Sequence, residues 1–229
     1  MKRLVLLLAC VAFNAAAAEL PKRVTITFEI SRGSLGLGTG TEVLEVNGKN
    51  YSIISQTHPT GLAALVPKAR IRRESRGAIT EQGLRPLEFS EKRGNEQPAV
   101  SKFDWDKKLI TFEREGATES AQLPKTTYDR LSIAYNFAFN SPPGKDLLFA
   151  MTDGKKLSEH HYVLLGLEKL ETPLGQLQTQ HWAKQREKET DRATDLWLAP
   201  DYFMLPVRIV FIDKDGARYE QIATQISYQ

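Results

Sequence analysis

The stretch TTYDRLSIAYNFAFN, Thr126 to Asn140, has a periodicity that sets it apart from the rest of the sequence. Tyr128, Leu131, Tyr135 and Ala138 recur at the spacing of one helix face, and neighbouring apolar residues widen this stripe. The pattern predicts a helix over Thr126–Phe139. Because few of its positions are polar enough to face water, we expect the rest of the fold to enclose it.

Residues at both ends of this stretch support the prediction. Thr126 stands in the N-cap position and Asp129 follows three residues later, which is similar to a capping box. Asn140, followed by Pro142 and Pro143, is typical of a helix end.

The surrounding sequence predicts β-strands. In RVTITFEIS, Val24, Ile26 and Phe28 alternate with polar residues, as in a half-buried strand. The connections are too short for parallel crossovers, so the sheet should be antiparallel. The predicted fold class is mainly β: a curled antiparallel sheet, as a half-barrel or open barrel, wrapped around one central α-helix. The side-chain-free face of Gly36, Gly38 and Gly40 is a candidate contact for that helix.

Short motifs predict the turns of this sheet. Asn47–Gly48 and Asp215–Gly216 are hairpin signals. The sequence TPLG, Thr172 to Gly175, should join two strands so that Glu171 faces Gln176, which sets His181 opposite Gly166 and Trp182 opposite Leu165. In LWLAPDYFMLPVRIVF, Pro200 to Phe203 should form a corner, and Pro206 should start a strand. Arg208 should be exposed or paired.

The first 18 residues have the pattern of a secretory signal peptide, cut after Ala18. The apolar run is too short for a membrane span. A lipid-anchored reading through Cys10 is less favoured, because the apolar stretch before that cysteine is unusually short. Cleavage after Ala18 removes the only cysteine, so the exported chain would have no disulfide or thiol chemistry. Residues 19–229 are predicted to form a single β-rich domain in the periplasm.

The charge balance argues against nucleic acid as a partner. The chain has 31 basic and 28 acidic residues, but Lys2 and Arg3 belong to the predicted signal peptide. Nucleic-acid binding needs a strongly basic face. The segment ARIRRESR is locally basic, and we interpret Arg70, Arg72 and Arg76 as a solvated strand edge.

Motifs for catalysis and cofactors are missing from the sequence. The glycine-rich GSLGLGTG does not match a nucleotide-binding fingerprint, and no G-x-S-x-G elbow occurs. His161 and His181 should lie about 16 Å apart along the predicted strands, too far to share a metal ion, and are interpreted as exposed strand histidines. No cofactor is predicted. Asp104 and Asp106 fit a turn, and Asp129 fits a helix cap better than a general base.

Five segments together resemble the domain of unknown function 3108 family of exported bacterial proteins: RGAITEQGLRPLEFSEKR, FDWDKKLITF, TTYDRLSIAYNF, TPLGQLQTQHWAK and LWLAPDYFMLPVRI. The resemblance implies a Gram-negative envelope location and a β-rich fold. It implies no reaction and no catalytic residues. By analogy, the architecture is similar to half-barrels that carry lipids or lipoproteins across the periplasm.

Two hypotheses on function follow. The first is a non-enzymatic periplasmic carrier that binds a hydrophobic, acyl or lipid-like ligand in a groove beside the helix, lined by Tyr128, Leu131, Tyr135 and Phe139. The alternative is an envelope structural or interaction module that pairs with a partner protein through an exposed strand edge. A third reading, an enzyme on envelope polymers, would require Asp104, Asp106 or Asp129 to share one cleft.

Overall fold

The computed structural model describes residues 20–142, 144–188 and 190–229, so the predicted signal peptide and Cys10 lie outside the described residues. The described chain is mostly strand. The strands are β1 (Arg23–Arg32), β2 (Leu35–Asn47), β3 (Asn50–Pro59), β4 (Ile71–Thr80), β5 (Gly83–Arg93), β6 (Ala99–Asp104), β7 (Leu109–Arg114), β8 (Ala117–Gln122), β9 (Thr127–Asp129), β10 (Asp146–Thr152), β11 (Leu157–Thr172), β12 (Gly175–Lys184), β13 (Ala193–Ala199), β14 (Leu205–Ile212) and β15 (Arg218–Tyr228). The helices are α1 (Ser132–Asn136) and two 3-10 turns, Gly61–Leu65 and Pro200–Tyr202.

All these strands belong to one sheet, in the order β8-β7-β6-β5-β4-β3-β2-β1-β15-β14-β13-β12-β11-β10-β9. Sequence neighbours are therefore also spatial neighbours, except that β1 pairs with β15 in the middle. Every pairing is antiparallel apart from β9 with β10. The predicted antiparallel sheet is confirmed.

The sheet is curled so strongly that its two edges approach each other. β8 forms one edge and β9 the other, yet only residues 123–126 separate them in the chain. Leu123 N–H still donates to Lys108 O beside β7, and the carbonyl of Thr126 already accepts from Ala150 of β10. Leu123 and Thr126 can be at most about 11 Å apart. The sheet is thus an open roll, joined across its seam by a short link.

The predicted central helix is wrong in both length and type. Thr127–Asp129 is the strand β9, and α1 spans only Ser132–Asn136. Thr126 is not a helix cap, because its carbonyl joins the sheet through Ala150. The same apolar residues that suit a helix face also suit a buried strand, and pairing with β10 decided between the two. The expected enclosure does hold, since residues 127–137 are buried apart from the half-buried Arg130.

We call Thr127–Asn140 the inner segment. Its side chains reach both halves of the roll, which explains why it is buried. On one half, Asn136 Oδ1 accepts from Leu84 N–H at 2.8 Å. On the other, the Phe137 ring lies 5.2 Å from the ring of Trp182. The inner segment therefore fills the concave side of the sheet and joins its two halves.

The turn predictions are largely confirmed. Glu171 pairs with Gln176 and His181 with Gly166, as predicted. Trp182 pairs with Leu164 rather than Leu165, because a bulge between Leu164 and Gly166 shifts the register by one residue. The corner is also confirmed, with a 3-10 turn at Pro200–Tyr202 and β14 beginning at Leu205.

Two expectations about strand surfaces are corrected. The glycines of β2 do not contact the inner segment: a side chain at Gly38 would meet the backbone of His58, and one at Gly40 would meet Ile30. Arg72 and Arg76 are solvated, but β4 lies inside the sheet between β3 and β5 and is not an edge. Their charges are paired with Glu74 and Glu88.

Candidate functional site

The four residues predicted to bind a ligand lie together in the interior of the roll. Tyr128, Leu131 and Tyr135 are buried, and Phe139 is half-buried against the core. The Tyr128 ring meets the ring of Phe149 edge-on at 5.7 Å. These side chains are packed against the sheet, and their role in ligand binding stays a prediction.

A row of aromatic rings continues from Tyr128 onto the neighbouring strands. Phe149 of β10 stacks on Tyr162 at 5.4 Å and on His160 at 5.5 Å, both on β11. We call Tyr128, Phe149, His160 and Tyr162 the aromatic row. It gives one side of the interior a continuous surface of π-systems, which suits apolar contact with a flexible chain.

Asp129 organises the turn that follows β9. Its Oδ1 accepts from the N–H groups of Leu131 and Ser132, both at 2.9 Å, and its Oδ2 accepts from Ser75 Oγ at 2.6 Å. Burial raises the pKa of this carboxyl, and the hydrogen bonds from Ser75 and the backbone offset the rise only in part. The sequence-based interpretation as a cap is confirmed, although it caps a much shorter helix.

Glu42 is a second buried carboxyl, on β2. It accepts hydrogen bonds from Tyr135 Oη at 2.7 Å and Ser55 Oγ at 2.9 Å. Burial raises its pKa, because these neutral donors replace only part of the water that it has lost. Glu42 therefore anchors the inner segment to the sheet through Tyr135.

The upper end of the roll, where β5, β10 and β12 finish, is charged on its inside. Glu91 of β5 accepts from Arg73 Nε at 2.5 Å and from Arg93 Nε at 2.8 Å. Burial alone would raise the pKa of Glu91, but the two guanidinium groups outweigh it and lower the pKa to about 2. Glu91 is thus a carboxylate that holds two cations in place.

Arg130 lies next to this group and is less well paired. Its nearest carboxylate oxygen, Asp153 Oδ2, is 3.8 Å from Nη2, and its buried Nε has no hydrogen-bond partner among the described residues. Burial lowers the pKa of Arg130, and the charge of Arg73 lowers it further. Arg130 is a cation whose compensation inside the protein is incomplete.

His160, at the end of the aromatic row, has a similar deficit. Only 8% of the residue is exposed, and Nδ1 is buried without a partner in the described part of the chain, while Nε2 shares a hydrogen bond with Ser158 Oγ at 2.9 Å. Burial, followed by the charges of Lys184 and Arg130, lowers the pKa of His160 to about 4. The imidazole is therefore neutral at pH 7.

The other histidines occupy different surroundings. His161 bonds Asp146 at 2.8 Å on the surface. His181 is not exposed as expected: it stacks on Trp197 at 4.0 Å and bonds Glu168 at 2.7 Å. Across residues 20–142, 144–188 and 190–229, no group of three or more His, Cys, Asp or Glu residues could hold a metal ion.

The aspartates considered for acid–base chemistry do not share a cleft. Asp104 ends β6 on the face opposite the buried Ser101 and Phe103, and binds Lys107 within its own turn at 2.9 Å. Asp129 lies inside, where its strand partner Thr152 bonds Ser101. Asp104 is three residues farther along β6, about 10 Å, and points outward. The turn interpretation of Asp104 is confirmed.

Sequence reasoning missed Glu42, Glu91, Arg130 and His160. A signal was present for the two glutamates. Glu42 has the same strand phase as the buried Leu44, and Glu91 the same phase as the buried Phe89. A charged residue in the buried phase of a strand indicates a paired or functional group.

Two surface grooves lie on the opposite, convex side of the sheet. The larger has a volume of about 560 Å³ and is bordered by β5, β6 and β7, with Leu87, Trp105 and Leu109 among its lining residues. The smaller, of about 220 Å³, crosses β1 to β4. Neither groove is lined by the residues predicted to bind a ligand.

Comparison with known proteins identifies a family. Residues 25–222 match the model of the family described as "Protein of unknown function (DUF3108)". A search of curated proteins finds no match. Among solved structures, the "putative outer membrane lipoprotein-sorting protein domain" from Vibrio parahaemolyticus is similar at 9% identity and a TM-score of 0.25, over 90% of this chain and 85% of that one. A likeness at this TM-score is too weak to carry an argument about function.

A membrane-spanning helix is not found in the part of the chain that the structure describes: none of its helices has the length and hydrophobicity required.

Proposed function

The chain belongs to the DUF3108 family, whose description assigns no activity, and we propose from the geometry of its own interior that it is a non-enzymatic exported protein of the periplasm that binds a hydrophobic, acyl-chain-like ligand. The ligand lies beside the inner segment, against the aromatic row. Tyr128, Leu131, Tyr135 and Phe139 contact it from the side of the inner segment.

The observation that carries this proposal is the seam of the roll. The edges β8 and β9 are not neighbours in the sheet, and residues 123–126 connect them instead. Of the inner segment, only the three residues of β9 pair with the sheet. The inner segment can therefore move away from the aromatic row without the loss of a long ladder of backbone hydrogen bonds. Such a movement opens apolar space of the kind that an acyl chain fills.

An exposed aliphatic loop also supports contact with hydrophobic molecules. The 3-10 turn Gly61–Leu65 has no buried residue, and Leu62 and Leu65 are 78% and 77% exposed. Val66 and Leu35 add to this apolar surface. Large contiguous apolar surfaces are uncommon on proteins that meet only water.

Native mass spectrometry tests the proposal directly. Protein purified from the periplasm without detergent should carry a hydrophobic ligand, and delipidated protein should enhance the fluorescence of N-phenyl-1-naphthylamine. Phe149→Ala should weaken binding of this probe, because it removes the centre of the aromatic row. Tyr228→Ala, at an exposed aromatic residue, serves as the matched control. Protein that carries no ligand and binds no probe contradicts the proposal.

A second candidate function rests on the free edge at β8. Five of its six residues are exposed, and its outer side has no strand partner among the described residues. Leu109, beside β8, also lines the larger surface groove. We propose that an extended segment of an envelope protein adds to this edge.

A photo-cross-linking residue tests the second candidate. Placed at Thr118 or Ser120 in cells, it should give a specific adduct, whereas the same residue at Glu29 on the central strand β1 should give none. Adducts that are absent, or equal at all three positions, argue against strand addition.

A further inference from the structure

The upper interior of the roll has more positive than negative charge. Four cationic groups, Arg73, Arg93, Arg130 and Lys184, face two carboxylates, Glu91 and Asp153. Glu91 is occupied by Arg73 and Arg93. Arg130 is left with Asp153 at 3.8 Å, beyond hydrogen-bond distance.

Two buried donors in this region lack acceptors. Arg130 Nε is one. His160 is the other: in the tautomer whose Nε2 accepts from Ser158 Oγ, the proton is on Nδ1, which has no partner in the described part of the chain. Unpaired buried donors are costly and uncommon in folded proteins. Both gain if an anionic oxygen binds between them.

The aromatic row continues directly from these donors. His160 itself stacks on Phe149, and the charge of Arg130 acts on both His160 and Tyr162. An anion held by Arg130 and His160 would therefore have any attached chain directed along Phe149, Tyr162 and Tyr128. Polar donors next to an apolar surface suit a molecule that has one charged end.

We infer that the ligand is an anionic amphiphile, with a carboxylate or phosphate head held by Arg130 and His160 and an acyl chain along the aromatic row. This inference rests on the proposed function and specifies its ligand class. Arg130 supplies charge-assisted hydrogen bonds, which are stronger than neutral ones. His160 supplies a neutral donor, and Lys184 adds positive charge nearby.

A pair of ligands that differ only in the head group separates the inference from the proposed function. Delipidated protein is titrated with dodecanoate and with 1-dodecanol, and binding is followed by calorimetry. Dodecanoate should bind more tightly. Arg130→Met should weaken dodecanoate by about tenfold or more, the equivalent of one lost hydrogen bond to a charged group. It should change dodecanol by less than about twofold. Arg208→Met, on the convex face, should leave both unchanged.

His160→Phe provides the second variant, because it keeps the stack on Phe149 and removes only the Nδ1 donor. It should weaken dodecanoate selectively, by a smaller factor than Arg130→Met, and it carries the test alone if Arg130→Met does not fold. If the wild type binds both ligands equally, or if neither variant discriminates between them, the head-group site is wrong while the carrier function stands. If the wild type binds neither ligand, the proposed function fails as well.

Discussion

Glu42 and Glu91 are buried to almost the same extent, with 5% and 7% of each residue exposed, yet their surroundings drive their pKa values in opposite directions. Glu42, deep beside the inner segment, has neutral donors, Tyr135 and Ser55, and its pKa is raised by burial. Glu91, at the upper end of the roll, has Arg73 and Arg93, which overcome the effect of burial and lower its pKa to about 2.

The difference between these two regions teaches that burial alone does not decide whether a carboxyl in this protein is charged. The partner decides it. The deep region is stabilised by hydrogen bonds between neutral donors and carboxyls that resist ionisation, whereas the upper region is stabilised by charge. A surplus of positive charge in the upper region makes it the better place for an anionic ligand.

Glu91→Gln should have the largest effect on this comparison. It leaves Arg73 and Arg93 without a counter-charge, and removing one partner of a buried ion pair costs about 3 kcal/mol or more. Glu42→Gln, the matched control, should cost about 1 kcal/mol at pH 7, because a neutral group already suits that site. Urea denaturation of both variants measures the difference. Equal losses would remove the distinction between the two regions.

The pH dependence of the same two variants has opposite signs. The folded pKa of Glu91 lies below the ordinary value of 4.5, so its contribution is present above pH 4.5 and is lost as the pH falls towards about 2. The folded pKa of Glu42 is raised, so its contribution is greatest below pH 4.5 and declines as the pH rises. Differences between wild type and each variant, measured from pH 3 to 8, should therefore slope in opposite directions.

Asp129→Ala tests the second carboxyl of the deep region. It removes the acceptor of two backbone N–H groups and of Ser75 Oγ, all buried, and should lower the free energy of unfolding by about 2–3 kcal/mol. Asp129→Asn keeps one acceptor oxygen for the backbone and should lose only about 1 kcal/mol. If Asn is as damaging as Ala in thermal and urea unfolding, charge matters more at Asp129 than the comparison allows.

Tyr135→Phe should have an intermediate effect. Glu42 loses one of its two donors, at a cost of about 1–2 kcal/mol, and the cost should grow with pH because the lost bond favours the charged form of Glu42. Tyr162→Phe, at a buried tyrosine that does not bond Glu42, should lack this pH dependence. The same slope in both variants would assign it to a group other than Glu42.

Arg208→Met extends the comparison to the convex face and should have the smallest effect. Arg208 lies 4.6 Å from the centre of the Trp197 ring and pairs with Glu220 at 2.5 Å, near solvent. Its removal should cost about 0.5–1 kcal/mol and less at high salt. A loss above 2 kcal/mol in urea denaturation would show that charge pairs on both faces are equally important.

The strands and turns could be predicted from the sequence because each depends on local pattern. Val24, Ile26 and Phe28 are all buried, as their alternation predicts, and the TPLG hairpin has the predicted pairing of Glu171 with Gln176. The error at Trp182 arose from one bulge, which depends on the geometry of two strands together and has no sequence signature of its own.

The inner segment and the upper charged region could not be predicted in the same way. Tyr128 is compatible with a helix face and with a buried strand, and only its position beside β10, set by a distant part of the chain, selects the strand. Arg130 and His160 are 30 residues apart in sequence and become neighbours only when the sheet curls. Their missing partners are a property of packing, which composition and spacing do not contain.

The pairing of β1 with β15 has a kinetic consequence. Val24 lies opposite Tyr228, so the middle of the sheet joins residues about as far apart in the chain as the described strands allow. Hairpins on either side can form from local contacts, but β1 keeps one open flank until β15 has been made and has diffused back to it. We expect this closure to be the slow step of folding, and until then the open flank of β1 is where a chaperone would be of most use.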